Sequence, residues 1–269
     1  MQSVPPPEAH LEQSSFKRFW RSSEALLLSG LSIVIVLALW ELASANEWVN
    51  PTFFSRPSDV WSTFIDEYFT ERGIYAHIRA TIKIGSRGLL LGLLAGIPVG
   101  AVMGAVPRIR YVLEPWITAA YVTPTVALLP LFILWLGIGD SPKILLVFLG
   151  AVFPILINTQ AGIAGADPAL LETARSFRAS GLERFRKVSL PAALPFIFAG
   201  VRLAIGRTLI MSFVAELFLS NKGLGYYVSD AGAKFRSSEV FVGIITLALL
   251  GVAATQIVRF LERRFVHGS

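Results

Sequence analysis

The chain has 269 residues, 54% of them hydrophobic and only 16% charged, and its mean hydropathy is +0.62, too apolar for a water-soluble domain of this size and fitting for a bilayer. Twenty-four Lys and Arg against 18 Asp and Glu leave a net +6, but these bases lie between apolar runs rather than on one polar face, which points to membrane topology and away from nucleic acid. With no Cys there is no disulfide, no thiolate metal site and no cysteine nucleophile.

Residues 1–24 read as a cytoplasmic tail, of which 1–15, MQSVPPPEAHLEQSS, are polar, Pro-rich and expected to be unordered. The first apolar run, 25–45, follows Lys17, Arg18 and Arg21 and ends at Ala43-Ser44-Ala45. Read as a signal peptide, that ending is an A-x-A cleavage site. The length of the run, with Trp40 and Trp48 placed as an interfacial belt, favours a retained helix. Residues 46–83 follow as a mixed-charge external loop with room for one short helix.

A helix rises ~1.5 Å per residue, so about 20 apolar residues cross a ~30 Å hydrocarbon core. Five more runs qualify, at 84–106, 113–136, 143–160, 194–219 and 240–258. The expectation is an all-α integral membrane protein of about six transmembrane helices over residues 25–265, with a cytoplasmic loop at 161–193 and a tail at 266–269. The runs are too continuous for barrel strands, and in lipid only helices or closed barrels satisfy the backbone. Lys and Arg are denser on the side holding both termini and the loop 161–193, which makes that side cytoplasmic.

The second span repeats Gly88, Gly92, Gly96, Gly100 and Gly104, a ridge without side chains that a second helix can approach closely. The third carries Pro115, Pro124 and Pro130 with Thr123 and Thr125, and the fourth carries Pro154 and Asn158. Prolines interrupt the helical hydrogen-bond ladder, so these spans either kink in packing or line a route. In the fifth span Arg207 lies near mid-membrane, where facing lipid would cost ~3 kcal/mol. It is expected to face the bundle interior, in a structural role by preference over contact with a passing anion. Glu216, nine residues on, is ~180° around the helix from Arg207 and cannot pair with it. Thr123, Thr125, Asn158 and Arg207 are the candidates for a translocation path.

Catalytic signatures are missing. The sequence has no Walker A loop, no G-x-S-x-G and no H-E-x-x-H, and its three His, at 10, 77 and 267, lie apart. Gly137-Ile138-Gly139 and Gly223-Leu224-Gly225 read as flexible turns. A secondary transporter or channel working alone is the alternative function, but the acids within the spans, Glu41, Glu114 and Glu216, all lie near their ends.

From Asp167 the loop reads DPALLETARSFRASGLERFRKVSLPAALP. Asp167-Pro168 is an N-cap with a first-turn proline, and Ser180-Gly181-Leu182-Glu183 has the S-x-x-E form of a capping box. Two short helices at an angle follow, the second ending at Pro191. Together they make a basic, amphipathic knob suited to a soluble partner or to the headgroup interface.

This stretch resembles the EAA loop of ABC importer permeases, whose pattern is E-A-A, three residues, Gly, nine residues, Ile, any residue, Leu-Pro. Glu172, Ala174, Leu190 and Pro191 match, with Val188 at the Ile position; Thr173 replaces an Ala, and Arg178 stands at the Gly. A glycine there normally takes positive φ, so either the turn is reshaped or Arg178 bears mild strain. PLFILWLGIG, KILLVFLGAVFPILINT, LPAALPFIFAGVRLAIGR, VAELF and KGLGYYV extend the resemblance over about residues 50 to 265, to permeases of the nitrate, sulfonate and taurine importers, with the aliphatic sulfonate branch nearest. Ala254-Thr255-Gln256 departs from it, at a place that often carries Asp.

The resemblance implies a non-enzymatic permease, multi-pass in the bacterial inner membrane, passing a small anion of the sulfonate, taurine, nitrate or bicarbonate type. It implies as partners a second permease copy, two cytoplasmic ATPase subunits that hold the ATP and Mg, and a periplasmic or lipid-anchored solute-binding protein, with no cofactor on this chain. Glu172, Thr173, Ala174, Arg178, Gly181, Leu190 and Pro191 are the implied ATPase-coupling residues.

Overall fold

The computed structural model describes residues 8–70 and 73–265, and every regular element among them is helical. Residues 1–7, 71–72 and 266–269, and with them the expectations for the C-terminal tail and the first residues of the N-terminal tail, lie outside the described residues. In chain order the elements are α1 (Glu8–Ala45), α2 (Pro57–Ile65), α3 (Ile74–Ala105), α4 (Pro107–Val122), α5 (Leu129–Leu136), α6 (Asp140–Ala164), α7 (Pro168–Ser176), α8 (Gly181–Arg184), α9 (Leu190–Leu219), α10 (Leu224–Ala233) and α11 (Ser237–Phe265).

Five of the described helices are long and apolar enough to cross a membrane, or six if α4 and α5 form one broken span. Helices cover each of the six expected apolar runs, the third as a bent pair, but their ends run past the apolar cores. α3 begins ten residues before its predicted start, because Arg79 and Lys83 are good helix formers with a solvated face to occupy. α1 likewise starts at Glu8, which corrects the unordered reading of residues 8–15: Glu8, Ala9, Leu11, Glu12 and Gln13 favour helix, and an existing helix extends more readily than a new one nucleates.

The third crossing departs most from expectation. In place of one helix over 113–136, α4 ends at Val122 and a 3-10 turn (Thr125–Leu128) leads into α5, with an 86° bend between the two halves. Pro124 is the physical cause, since it drives Thr123 out of the helical region, to ψ 129°.

The core is a stack of α3, α6 and α9, with α6 in the middle. The glycine ridge of α3 packs on α6: a Cβ built on Gly88 would lie 2.4 Å from Val147, one on Gly92 2.9 Å from Ala151, and one on Gly100 2.5 Å from the Leu156 carbonyl oxygen. Backbones this close maximise the dispersion contact that holds helices together where lipid leaves no hydrophobic drive. On its other side α6 receives α9, where Gly200 meets the Pro154 carbonyl and Gly150 meets Met211. α1 is peripheral; its Trp40 ring contacts Phe241 of α11 at 5.0 Å, and its Glu41 accepts two hydrogen bonds from Ser58 at the start of α2.

Candidate functional site

At the end of the bundle where α6 stops, the chain turns through Ala166 and Asp167 into α7. The Asp167 carboxylate accepts the Ala169 N–H at 2.8 Å, and Pro168 occupies the first turn, where a missing N–H costs nothing. α7 buries none of its residues, and Thr173 Oγ1 donates back to the Ala169 carbonyl at 2.8 Å.

Its C-terminus decides the shape of the knob. Ala179 N–H bonds the Ala174 carbonyl at 3.0 Å and Arg178 N–H bonds that of Arg175 at 2.8 Å, the two bonds of a Schellman cap. That cap needs its C′ residue in the left-handed region, and Arg178 is there, at φ 57°. The strained alternative for Arg178 is therefore the one realised; the turn is not reshaped. Ser180 then caps α8 in a complete capping box, with Ser180 N–H donating to the Glu183 carboxylate at 2.8 Å.

Glu172, Thr173, Ala174, Arg178 and Gly181 thus come together in one protruding knob, whose apolar tips Leu170, Phe177 and Leu182 are exposed. Leu190 and Pro191 lie apart from them, at the root of α9. Pro191 does not end the second helix, contrary to expectation. A π turn over Phe185–Ser189, with Leu190 N–H bonded to the Phe185 carbonyl five residues back, carries α8 into α9. The wider turn accommodates a proline ring that would clash in an α-helix. Gly181–Leu219 is consequently one helical rod of 39 residues from the knob across the membrane.

The four path candidates do not gather into one pocket. Thr123 is exposed at the α4 break and donates to the Ala119 carbonyl, while Thr125 starts the 3-10 turn. Asn158 is half-buried against Gly200 and donates to the Pro154 carbonyl. Arg207 corrects the expectation of an inward side chain. It is exposed on α9 between Leu203 and Ile210, both more than half exposed, because the inward positions belong to Ala204, Thr208 and Met211.

At the opposite end of the rod the structure assembles a group that sequence reasoning left unused. Glu216 is 1% exposed, and its Oε2 accepts Thr81 Oγ1–H of α3 at 2.8 Å and the Gly225 N–H of α10 at 3.0 Å. Thr81 Oγ1 accepts Leu224 N–H in turn, so a buried carboxylate closes the positive N-terminus of α10. Gly223-Leu224-Gly225 is accordingly no flexible turn: a Cβ on Gly225 would meet the Phe213 carbonyl at 2.2 Å. Beside it Lys143, 6% exposed, pairs with Asp140 at 3.1 Å, and Asp140 with Lys83 at 2.9 Å, tying α6 to α3. In the sequence the group shows only as an acid just before the end of an apolar span, followed by a G-x-G, with nothing to name its partner Thr81.

The chain is similar to known transport proteins. The family model described as binding-protein-dependent transport system inner membrane component matches residues 88–267. A Bacillus subtilis permease named for aliphatic sulfonate transport is 36% identical over 232 residues, spanning 86% of this chain and 84% of its own. The taurine transport system permease of Escherichia coli is 30% identical over 96% of each chain, and the nitrate import permease of Leptolyngbya laminosa is 28% identical over 88% of this chain and 87% of its own. A chain from the methionine ABC transporter MetNI, solved in inward-facing conformations, superposes with a TM-score of 0.61 at 19% identity over 74% of this chain and 97% of that one, a shared fold.

Proposed function

The chain belongs to the family of binding-protein-dependent transport system inner membrane components and is a permease subunit of an ABC importer, and we propose that the α7–α8 knob is the handle by which a separate ATPase drives it. The observation that carries this reading is the continuity of knob and span. Movement of the exposed surface around Glu172, Phe177 and Leu182 is passed along Gly181–Leu219 without a flexible joint. A rigid element with two arrangements is what converts closure of a partner into rearrangement of a bundle.

The working assembly in this reading has two copies of the chain, two cytoplasmic ATPase subunits holding ATP and Mg, and an external binding protein that delivers the solute. The knob and both termini lie in the cytoplasm, and the membrane is the bacterial inner membrane. The second copy accounts for Arg207. A guanidinium near mid-membrane costs ~3 kcal/mol against lipid, and a partner across a shared aqueous path removes that cost while presenting a positive charge to an anion. A small organic anion, a sulfonate or taurine in the first instance, is the substrate favoured by the relatives' names.

Because the chain has no Cys, Ala174→Cys introduces a unique thiol into the knob. Cross-linking from that thiol should capture a nucleotide-binding subunit from native membranes. Capture of lipid alone would contradict the assignment.

A further inference from the structure

α9 and α11 leave a groove between them that neither the knob nor the path uses. At the knob end of the bundle it opens into a cavity of about 510 Å³ lined by Arg202, Arg259, Glu262 and Arg263. From there a second cavity of about 470 Å³ continues toward mid-membrane, and the two share Arg259. Its walls are Ile205, Gly206 and Leu209 of α9 and Gly251, Val252 and Thr255 of α11.

We propose that this groove holds one anionic phospholipid, its phosphate at Arg259 and Arg263 and one acyl chain over Gly206 and Gly251.

Charge selects the headgroup. Arg202 forms an ion pair with Glu262, whereas Arg259 and Arg263 have no carboxylate partner among the described residues. Two exposed guanidiniums at one end of an apolar groove fit a phosphate diester, which accepts from both in forked geometry.

Depth selects the tail. Arg202 lies roughly 25 Å along its helix from Leu219, about 7.5 Å beyond Arg207, so its long side chain extends toward the headgroups of the leaflet on the knob side. The groove follows α11 from Arg259 back to Ala248, roughly 16 Å of helix, which is about half of the ~30 Å hydrocarbon core and so the depth of one leaflet. A Cβ built on Gly206 would meet nothing within 4 Å, so the floor of the groove is open beneath the place where a chain would lie. Basic pockets between transmembrane helices are recurrent sites for acidic headgroups.

The test uses the full chain, purified with whatever subunits accompany it, stripped of lipid and equilibrated with equal phosphatidylglycerol and phosphatidylcholine; native mass spectrometry reads what is retained. One phosphatidylglycerol per chain is expected in preference to phosphatidylcholine. Arg259→Gln and Arg263→Gln should each lower that preference about fivefold, and Gly206→Leu, which has room to fold, should lower retention of both lipids. Unchanged preference in the arginine variants would overturn the headgroup assignment. Unchanged retention in Gly206→Leu would reduce the site to a headgroup contact and overturn the tail assignment. Gly251→Cys forming a disulfide between copies in membranes would make the groove a protein interface and overturn the proposal altogether.

Discussion

Glu216 of α9 accepts a hydrogen bond from Thr81 of α3 at 2.8 Å, and the same carboxylate oxygen accepts the Gly225 N–H. One buried acid thus fixes three helices to each other at the end of the bundle away from the knob. Glu216→Ala should leave both donors without a partner, each costing about 1–3 kcal/mol. Glu216→Gln keeps an acceptor and loses only the charge facing the α10 N-terminus, on the order of 1 kcal/mol. Thermal unfolding in detergent should rank wild type above Glu216→Gln above Glu216→Ala; equal melting of all three would show that the carboxylate holds nothing.

The glycine ridge gives a second expectation. Gly100→Val directs a branched side chain against the Leu156 carbonyl, where a Cβ alone would sit at 2.5 Å, and backbone cannot yield as a side-chain tip can. Overpacking of this kind costs about 1–3 kcal/mol or more, so the variant should give little folded protein by fluorescent size-exclusion. Gly30→Val on peripheral α1, where a Cβ meets nothing within 4 Å, should accumulate as wild type does. Normal yield of Gly100→Val would mean that α3 and α6 do not pack as described.

Arg178 provides the opposite sign. Its φ of 57° is a conformation that glycine adopts without penalty, so Arg178→Gly should stabilise the Schellman turn by roughly 0.5–1 kcal/mol. Hydrogen exchange across residues 174–184 reads this directly: slower exchange at Ala179 N–H is the expected outcome, and faster exchange would show that the arginine side chain holds the turn through contacts of its own.

Arg207 separates two roles by one pair of measurements. Facing a shared path, Arg207→Gln should assemble with its partners in wild-type yield and lose most solute uptake, with Arg207→Lys keeping part of it. Loss of assembly in both variants would instead assign Arg207 to the contact between copies.

How legible each feature was depended on the range of the interactions that build it. The capping box at Ser180, the N-cap at Asp167 and the left-handed demand at Arg178 are local, set by a few neighbouring residues, and all three are present. The packing role of the Gly88 to Gly104 ridge was also readable, since a four-residue period needs no knowledge of the partner helix. Glu216 was not readable as a clamp because its partners, Thr81 and Gly225, lie on other helices and only tertiary folding unites them. The outward Arg207 was misread for a related reason: burial cost says that a charge avoids lipid, but not whether its own bundle or a neighbour provides the shelter. At Pro191 and Pro124 the same residue type gave opposite outcomes, a π turn carrying the helix on at one and an 86° break at the other.

ATP-driven uptake tests the central claim most directly. The permease is reconstituted in liposomes with an ABC-type ATPase and a solute-binding protein from the same organism, and labelled taurine or an alkanesulfonate is supplied outside with ATP within. Accumulation should require both partners and ATP, and Glu172→Arg should abolish it while the permease remains inserted and folded. Accumulation by the permease alone, driven by an ion gradient without ATP, or undiminished ATP-driven uptake by Glu172→Arg, would contradict the account.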